Sequence, residues 1–368
     1  MAATDLGLMT SASQFFRYNI LSATFNSTAR TVTVVFSVTN PVAANASYDI
    51  LNTTTPPFQT TLGAGARLAV QIAWNTAGWK TTELVNTGNT PVTQVISRTW
   101  MSTTPPSAGG SGPAVPKSIN ALTLAKRCGS SGAPCSAAGT FYVISGALPP
   151  EAMGSGRVGI EGHAVKQTGV NPTTGAPVFA PIPVKSVFAD YAIDATAVAR
   201  RQIVDFKKCQ GCHDDKVHGN TTVPRLSLHG GNRTEEPGLC VMCHNPNQTD
   251  AAYRSSGAEE SVDFKRLVHG IHAGGFRRSP LVIIGFQGSV NDFSGVRFPA
   301  TLSNCVMCHI DSNGKGTFEL PVASTLGSTI NSGSALTPLP GFVDVNPVPD
   351  LKISPTAAAT TAQRSGAI

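Results

Sequence analysis

The pentapeptide Cys-Val-Met-Cys-His occurs twice in this chain, at 240–244 and 305–309, and a relative, Cys-Gln-Gly-Cys-His, stands at 209–213. Two thiols separated by two residues reach one edge of a porphyrin and add across its vinyl groups. The histidine that follows at once supplies an axial imidazole to iron, and Cys-x-x-Cys-His is the attachment signature of c-type haem. The sequence predicts three covalent haem c groups, with Cys209, Cys212, Cys240, Cys243, Cys305 and Cys308 as thioether donors. His213, His244 and His309 are then the proximal iron ligands. Zinc is the competing chemistry, because paired Cys-x-x-Cys knuckles bind Zn²⁺ tetrahedrally. Zinc takes such knuckles in twos, whereas this chain has three, and zinc gives no reason for a histidine after every second cysteine.

Of the eight cysteines, Cys128 and Cys135 remain, in KRCGSSGAPCSAAG. Haem c is attached outside the cytoplasm, where disulfides persist, so the pair predicts a disulfide around a Gly/Ser/Pro-rich loop. Two free buried thiols are the alternative. Of the eight histidines, His163, His218, His229, His269 and His272 lie outside the motifs. A low-spin haem takes a second axial ligand, and imidazole suits electron transfer at low potential. His269 and His272 stand three apart near the end of a helix predicted over SVDFKRLVHGIHAG, share one face, and can serve two haems. His229, in SLHGGNR, is followed by two glycines that permit close backbone approach to a porphyrin. His218 is an alternative distal ligand, or one donated to a neighbouring molecule. His163, in IEGHAV, reads as a surface or strand residue. Met242 and Met307 sit inside their own attachment loops, where ligation geometry is poor.

Those ligands need a frame. Only 13% of residues are charged, with 36 Gly and 26 Pro, which suits short strands joined by turns. RTVTVVFSVTN, ARLAVQIAWN, TQVISRTWM, INALTLAKR, TFYVISG, RVGIEGHAVK and VFAPIPVKSVFADYAI read as strands. Residues 1–195 are thus expected to form an antiparallel β-sandwich or barrel, with a linker near 102–116 that divides it into two subdomains if they are separate. DATAVARRQIVDFKK, 194–208, switches to helical spacing. Residues 196–320 then read as a trihaem domain, mostly irregular and helical, in which porphyrins replace side chains as core. Residues 321–368 form an extended tail rich in Pro, Ser, Thr and Ala. The fold class expected is mixed: a β-domain followed by a haem-packed cytochrome domain.

The net charge of +6 is scattered rather than clustered, which argues against a nucleic-acid partner. No apolar run approaches the length of a membrane span. The start has no basic region followed by an apolar one, so no signal peptide is visible. Haem c attachment requires export through the periplasm, which predicts numbering that begins near a processed end or a misassigned start.

RRQIVDFKKCQGCH, SLHGGNRTEEPGLCVMCHNPNQTD, ESVDFKRLVHGIHAGG and GFQGSVNDFSGVRFPATLSNCVMCH resemble the outer-surface decahaem c-type cytochromes of the OmcA/MtrC family. YVISGALPPEAMGSGRVGIEGHAV and PIPVKSVFADYAI are similar to the end of that family's N-terminal β-domain, and the likeness covers about residues 138–320. The resemblance implies bis-His haems, with His229, His269 and His272 in distal-ligand positions, and extracellular electron conduction to minerals, electrodes or soluble acceptors. DLKISPTAAATTAQ is similar to the approach to a fourth haem site with its cysteines absent, so less than one five-haem module is implied.

The leading functional expectation is an electron carrier without its own substrate site, exported to the cell surface or beyond. It would exchange electrons with other redox proteins or extracellular acceptors. Three haems make a short wire, which an open heterologous interface would extend into a homopolymeric filament. A discrete surface reductase of metals or soluble acceptors, with one haem open to substrate, is the first alternative. A haem-stabilised surface binding module is the second.

Overall fold

The computed structural model describes residues 13–61, 63, 65–74, 86–87, 90–91, 116–131, 135, 140–148, 150, 152–200, 202–213, 226–245, 250, 253–255, 260–277 and 280–311. The first strands are β1 (Arg17–Asn26), β2 (Thr31–Asn40), β3 (Ala46–Ser47), β4 (Arg67–Trp74), β5 (Asn86–Thr87) and β6 (Thr90–Pro91). Then come β7 (Lys117–Asn120), helix α1 (Ala121–Leu124), β8 (Lys126–Arg127), β9 (Tyr142–Ala147), β10 (Ser155–Val170), β11 (Pro177–Pro183) and β12 (Val187–Ala192). The remainder is α2 (Phe206–Gln210), β13 (Ser227–Leu228), β14 (Arg233–Thr234), α3 (Pro237–Cys243), α4 (Phe264–His272), β15 (Val282–Ile284) and β16 (Val290–Asp292).

The described residues fall into two compact units. One is drawn from Met1–Trp74, Lys117–Ala197 and Cys209–Cys240, the other from Asn75–Pro116, Val198–Lys208 and Val241–Ile368. In the first, two five-stranded antiparallel sheets run β1-β2-β9-β8 and β11-β10-β4-β7, with β3 added to β2 and β12 to β10. Alternation sets their inner faces: Val32, Val34, Phe36 and Val38 of β2, Leu68, Val70, Ile72 and Trp74 of β4, and Val158 and Ile160 of β10 are buried. A Cβ on Gly146 of β9 would strike Ile72 and Ile119, so side chains of the second sheet reach the backbone of the first. On the other face of β2, Val35 and Val143 pack with Phe141, Cys128 and Cys135. The structure joins those two cysteines in a disulfide, with Cα atoms 5.4 Å apart.

Strand β10 is the organiser of its sheet. One edge pairs with β4 from Gly156 to His163; the other takes β12 along its first half and β11 along its second. Gly162 has φ +139°, and a side chain there would collide with the backbone carbonyl of Arg67.

The second unit has a smaller apolar centre. Val262, Leu281 and Ile283 are buried, with Leu267, Ile271 and Phe293 packed on them, so α4 lies on the β15–β16 hairpin. Asp250 ties the approach to that helix. Its carboxylate accepts N–H groups of Glu260 and Ile284 at 2.8 and 2.9 Å and pairs with Arg254, which also donates to the Val282 carbonyl.

Two expectations change. The predicted 194–208 helix is confined to α2 at its far end. Asp194 instead turns the chain by accepting the Gly154 and Thr196 N–H groups, and Val204 is taken by a β-bridge to His309. INALTLAKR is not one strand either. Asn120 caps Leu122 N–H at 3.0 Å and starts the single turn α1 between β7 and β8. TQVISRTWM, nearly all of the 102–116 linker and the 321–368 tail lie outside the described residues. The described structure is therefore β-rich, with few and short helices, and no described helix is long and apolar enough to cross a membrane.

Candidate haem-attachment site

Residues at i, i+3 and i+4 of a helical turn share a face, so a Cys-x-x-Cys-His segment wound as one turn presents both thiols and the imidazole together. All three motifs are wound this way. At 209–213, α2 runs into the motif, and Cys209 carbonyl accepts the N–H of Cys212 at 3.1 Å and of His213 at 2.9 Å. At 305–309, a 3-10 turn spans Cys305–Met307, and Cys305 carbonyl accepts Cys308 N–H at 3.2 Å and His309 N–H at 2.9 Å. At 240–244, α3 holds both cysteines. It opens with Pro237 at a position whose N–H would be unpaired anyway, and the Glu236 carboxylate accepts Gly238 N–H at 3.0 Å.

The β-unit grips the chain leading to the 240–244 motif through charged side chains of β10. Arg157 is 4% exposed, forks onto Asp190 at 2.6 and 2.9 Å, donates to the Gly238 carbonyl at 3.0 Å, and stacks 3.9 Å above Phe188. Gly238 lies so close to the same ring that a Cβ would collide with it. Glu161 pairs with Arg233 at 2.6 and 3.0 Å and so holds the β13–β14 hairpin. His229 sits exposed at the tip of that hairpin with φ +54°, followed by two glycines also at positive φ. Its carbonyl accepts Asn232 Nδ2 at 2.7 Å. Burial, aided by Glu236, pushes the Cys240 thiol up to about 12, and the thiol donates to Glu236 carbonyl at 3.3 Å.

In the second unit, His244 Nδ1 lies 2.8 Å from Val262 carbonyl, and His244 carbonyl accepts Phe264 N–H at 3.0 Å. The start of α4 is thereby fastened to the second motif. His272 Nδ1 is 2.6 Å from Val268 carbonyl, one turn back. A ring fixed through Nδ1 keeps Nε2 for a metal. His269 faces His309 with ring centroids 6.2 Å apart and planes within 3°. Two metal–imidazole bonds of ~2.0 Å, with ~1.1 Å from each nitrogen to its ring centre, would span about this interval if both rings aimed a nitrogen at one metal. His269 is exposed by surface area, yet the protein mass around it costs the ring hydration, and His309 and His272 oppose a further positive charge. These effects lower its pKa.

Residues 201–361 match the family described as outer membrane cytochrome MtrC/MtrF-like, domains II/IV. That segment is similar to domains II/IV of the MtrC/MtrF-like outer membrane cytochromes. The MtrC/MtrF-like segment contains all three attachment motifs and runs beyond residue 320. Among solved structures, the outer membrane decaheme cytochrome OmcA is similar at 19% identity and a TM-score of 0.45, over 82% of this chain and 41% of its own. MtrC from Shewanella baltica OS185 is similar at 17% identity and a TM-score of 0.42, over 85% of this chain and 43% of its own. The chain thus spans less than half the length of either structure. No curated protein matches it.

Within the MtrC/MtrF-like segment, the structure opposes His269 to His309 and sets His272 against Phe298, edge to face at 5.4 Å. It brings His229 and His213 into the β-unit's share of the chain. His218 lies outside the described residues. His163 is a strand residue of β10, as one of the two readings expects, but its ring lies in the core rather than at the surface. It is 6% exposed, with Nδ1 2.9 Å from Asn232 Oδ1 and Nε2 3.2 Å from Gly65 carbonyl. Among the described residues no group of three or more His, Cys, Asp or Glu gathers to hold a metal ion, so the cysteine pairs are not assembled as four-ligand knuckles. Sequence reasoning missed Arg157, Glu161 and Lys208, whose partners lie far along the chain.

Proposed function

We propose that this chain is an electron-transfer c-type cytochrome of the outer cell surface. It holds three haem c groups at 209–213, 240–244 and 305–309 and has no substrate chemistry of its own. What carries the reading is the His269–His309 pair, opposed at an interval that fits one iron. Haem, when bound, supplies one-electron ferric/ferrous chemistry. The chain's own residues do the rest. Cys209, Cys212, Cys240, Cys243, Cys305 and Cys308 anchor the macrocycles, and His213, His244 and His309 bind from the proximal side. His269 serves the site of His309, and His229 and His272 serve the other two. The Nδ1 contacts of His244 and His272 hold each ring in the tautomer that offers Nε2. The likeness of residues 201–361 to outer membrane cytochromes supports the surface location and electron exchange with other redox proteins or extracellular acceptors.

Carbon monoxide tests the ligation. A reduced haem with two imidazoles binds it poorly, so the wild-type protein is expected to show almost no carbonyl spectrum. His269→Ala should open one haem of the three. A wild-type protein that binds carbon monoxide at one haem would favour a surface reductase with an open site instead.

Copies of the chain would extend the path by stacking into a filament. Four candidate distal histidines for three motifs support this, since His218 is then left over to reach a neighbour. Electron microscopy of native material should show regular fibres of one repeating subunit; discrete particles would refute the filament and leave the carrier.

A further inference from the structure

We propose that Lys208 is a positioning and tuning residue for the 305–309 site: its ammonium holds the turn that carries His309 and raises that site's reduction potential. The inference rests on the haem reading above. Lys208 Nζ donates to Val306 carbonyl at 2.9 Å and to His309 carbonyl at 2.7 Å. The backbone beside it already grips the same turn. Asp205 N–H donates to Cys308 carbonyl at 3.0 Å, Ile310 N–H donates to Ile203 carbonyl at 3.0 Å, and Val204 forms a β-bridge with His309.

Those two hydrogen bonds are the Val204–His309 bridge and already seat the turn; the lysine adds two donated hydrogen bonds and, distinctively, a charge. It sits at the carbonyl end of a single helical turn, where backbone dipoles favour a cation. It is also half-buried, where a charge is screened less than in open water. Reduction of a haem at Cys305, Cys308 and His309 adds one electron from an external donor and makes or breaks no bond. The site's charge falls by one. A fixed positive charge on the carbonyl of the axial ligand favours the reduced state, so it raises the potential.

A lysine that acted only as a clamp would change stability and leave the potential alone. The test uses the haem-loaded full chain and the variants Lys208→Arg, Lys208→Gln and Lys208→Met. Glutamine keeps a donor for the carbonyls but no charge; arginine keeps both. Haem content, thermal unfolding and a spectroelectrochemical redox titration are measured on each.

We expect full haem content in all variants. The reduction equilibrium of one haem should shift on the order of tenfold towards oxidised in Gln and Met, about 59 mV for a one-electron couple. Arginine should restore the wild-type value. Unchanged potentials with full haem content would overturn the inference, as would an equal shift in the arginine variant. A wild-type chain carrying no haem would instead overturn the haem reading, and the haem measurement shows this before any variant is compared.

Discussion

Removing Asp190 should destabilise the β-unit more than removing Arg157, although both belong to one ion pair. The two side chains are unequally buried, at 4% exposed for Arg157 and 29% for Asp190. In Arg157→Met the orphaned carboxylate is open enough to rehydrate, and the methionine stem still covers Phe188. The loss is mainly that of charge-assisted hydrogen bonds to Asp190 and the Gly238 carbonyl, about 1.5–3 kcal/mol. In Asp190→Ala the guanidinium stays buried with one carbonyl and one aromatic face for company, and an uncompensated buried charge costs roughly 3–5 kcal/mol. The gap of ~2 kcal/mol is more than tenfold in the folding equilibrium. In a domain of this size it corresponds to roughly 4–8 °C in Tm. Urea unfolding followed by far-ultraviolet circular dichroism measures it, and the double variant should fall near Arg157→Met rather than at the sum. Equal losses, or a larger loss for Arg157→Met, would refute the claim that burial of the guanidinium makes it the costlier partner to orphan.

Gly162→Ala combines a disfavoured φ with a collision against Arg67 backbone, so we expect several kcal/mol of destabilisation, on the order of 3 or more, read by the same denaturation. His163 has its pKa lowered, first by burial, against the weaker opposing effect of its two polar contacts. A depressed histidine stays neutral in the fold while the unfolded chain gains a proton below about 6.5, so stability is full above that pH and declines as pH falls towards the folded value. His163→Gln should flatten that limb of a Tm-versus-pH curve, though its baseline stability falls. Asp250 behaves likewise at lower pH. Burial alone would raise its pKa, but Arg254 and two backbone N–H groups outweigh burial and lower it. Its contribution is therefore lost below about 4, and Asp250→Asn should remove that dependence while loosening the contacts beneath α4.

The attachment motifs were legible because covalent chemistry at one porphyrin edge forces its residues into five consecutive positions. Helix α4 was legible too, since Leu267 and Ile271 repeat at helical spacing and His269 and His272 stand three apart. Strands β2, β4 and β10 announce themselves by alternation. Strand β1 is less plain: a register shift between Ile20 and Ser22 interrupts its pattern. The 194–208 segment misleads because its apolar spacing is helical while tertiary pairing takes Val204 into a bridge with His309. Arg157, Glu161 and Lys208 read as ordinary charges, because their partners lie from 33 to 101 residues away and nothing local marks them. The pairing of His269 with His309 was equally hidden; the sequence offers both residues, and only the fold opposes them.

The most direct measurement is intact-mass spectrometry of the native chain, repeated after alkylation of free thiols. Three haem additions with none of the six motif cysteines alkylated would meet the account's central claim. Replacing both cysteines of any one motif with alanine should then remove one haem and leave two. A native mass without haem, or motif thiols that alkylate freely once zinc is chelated, would contradict it.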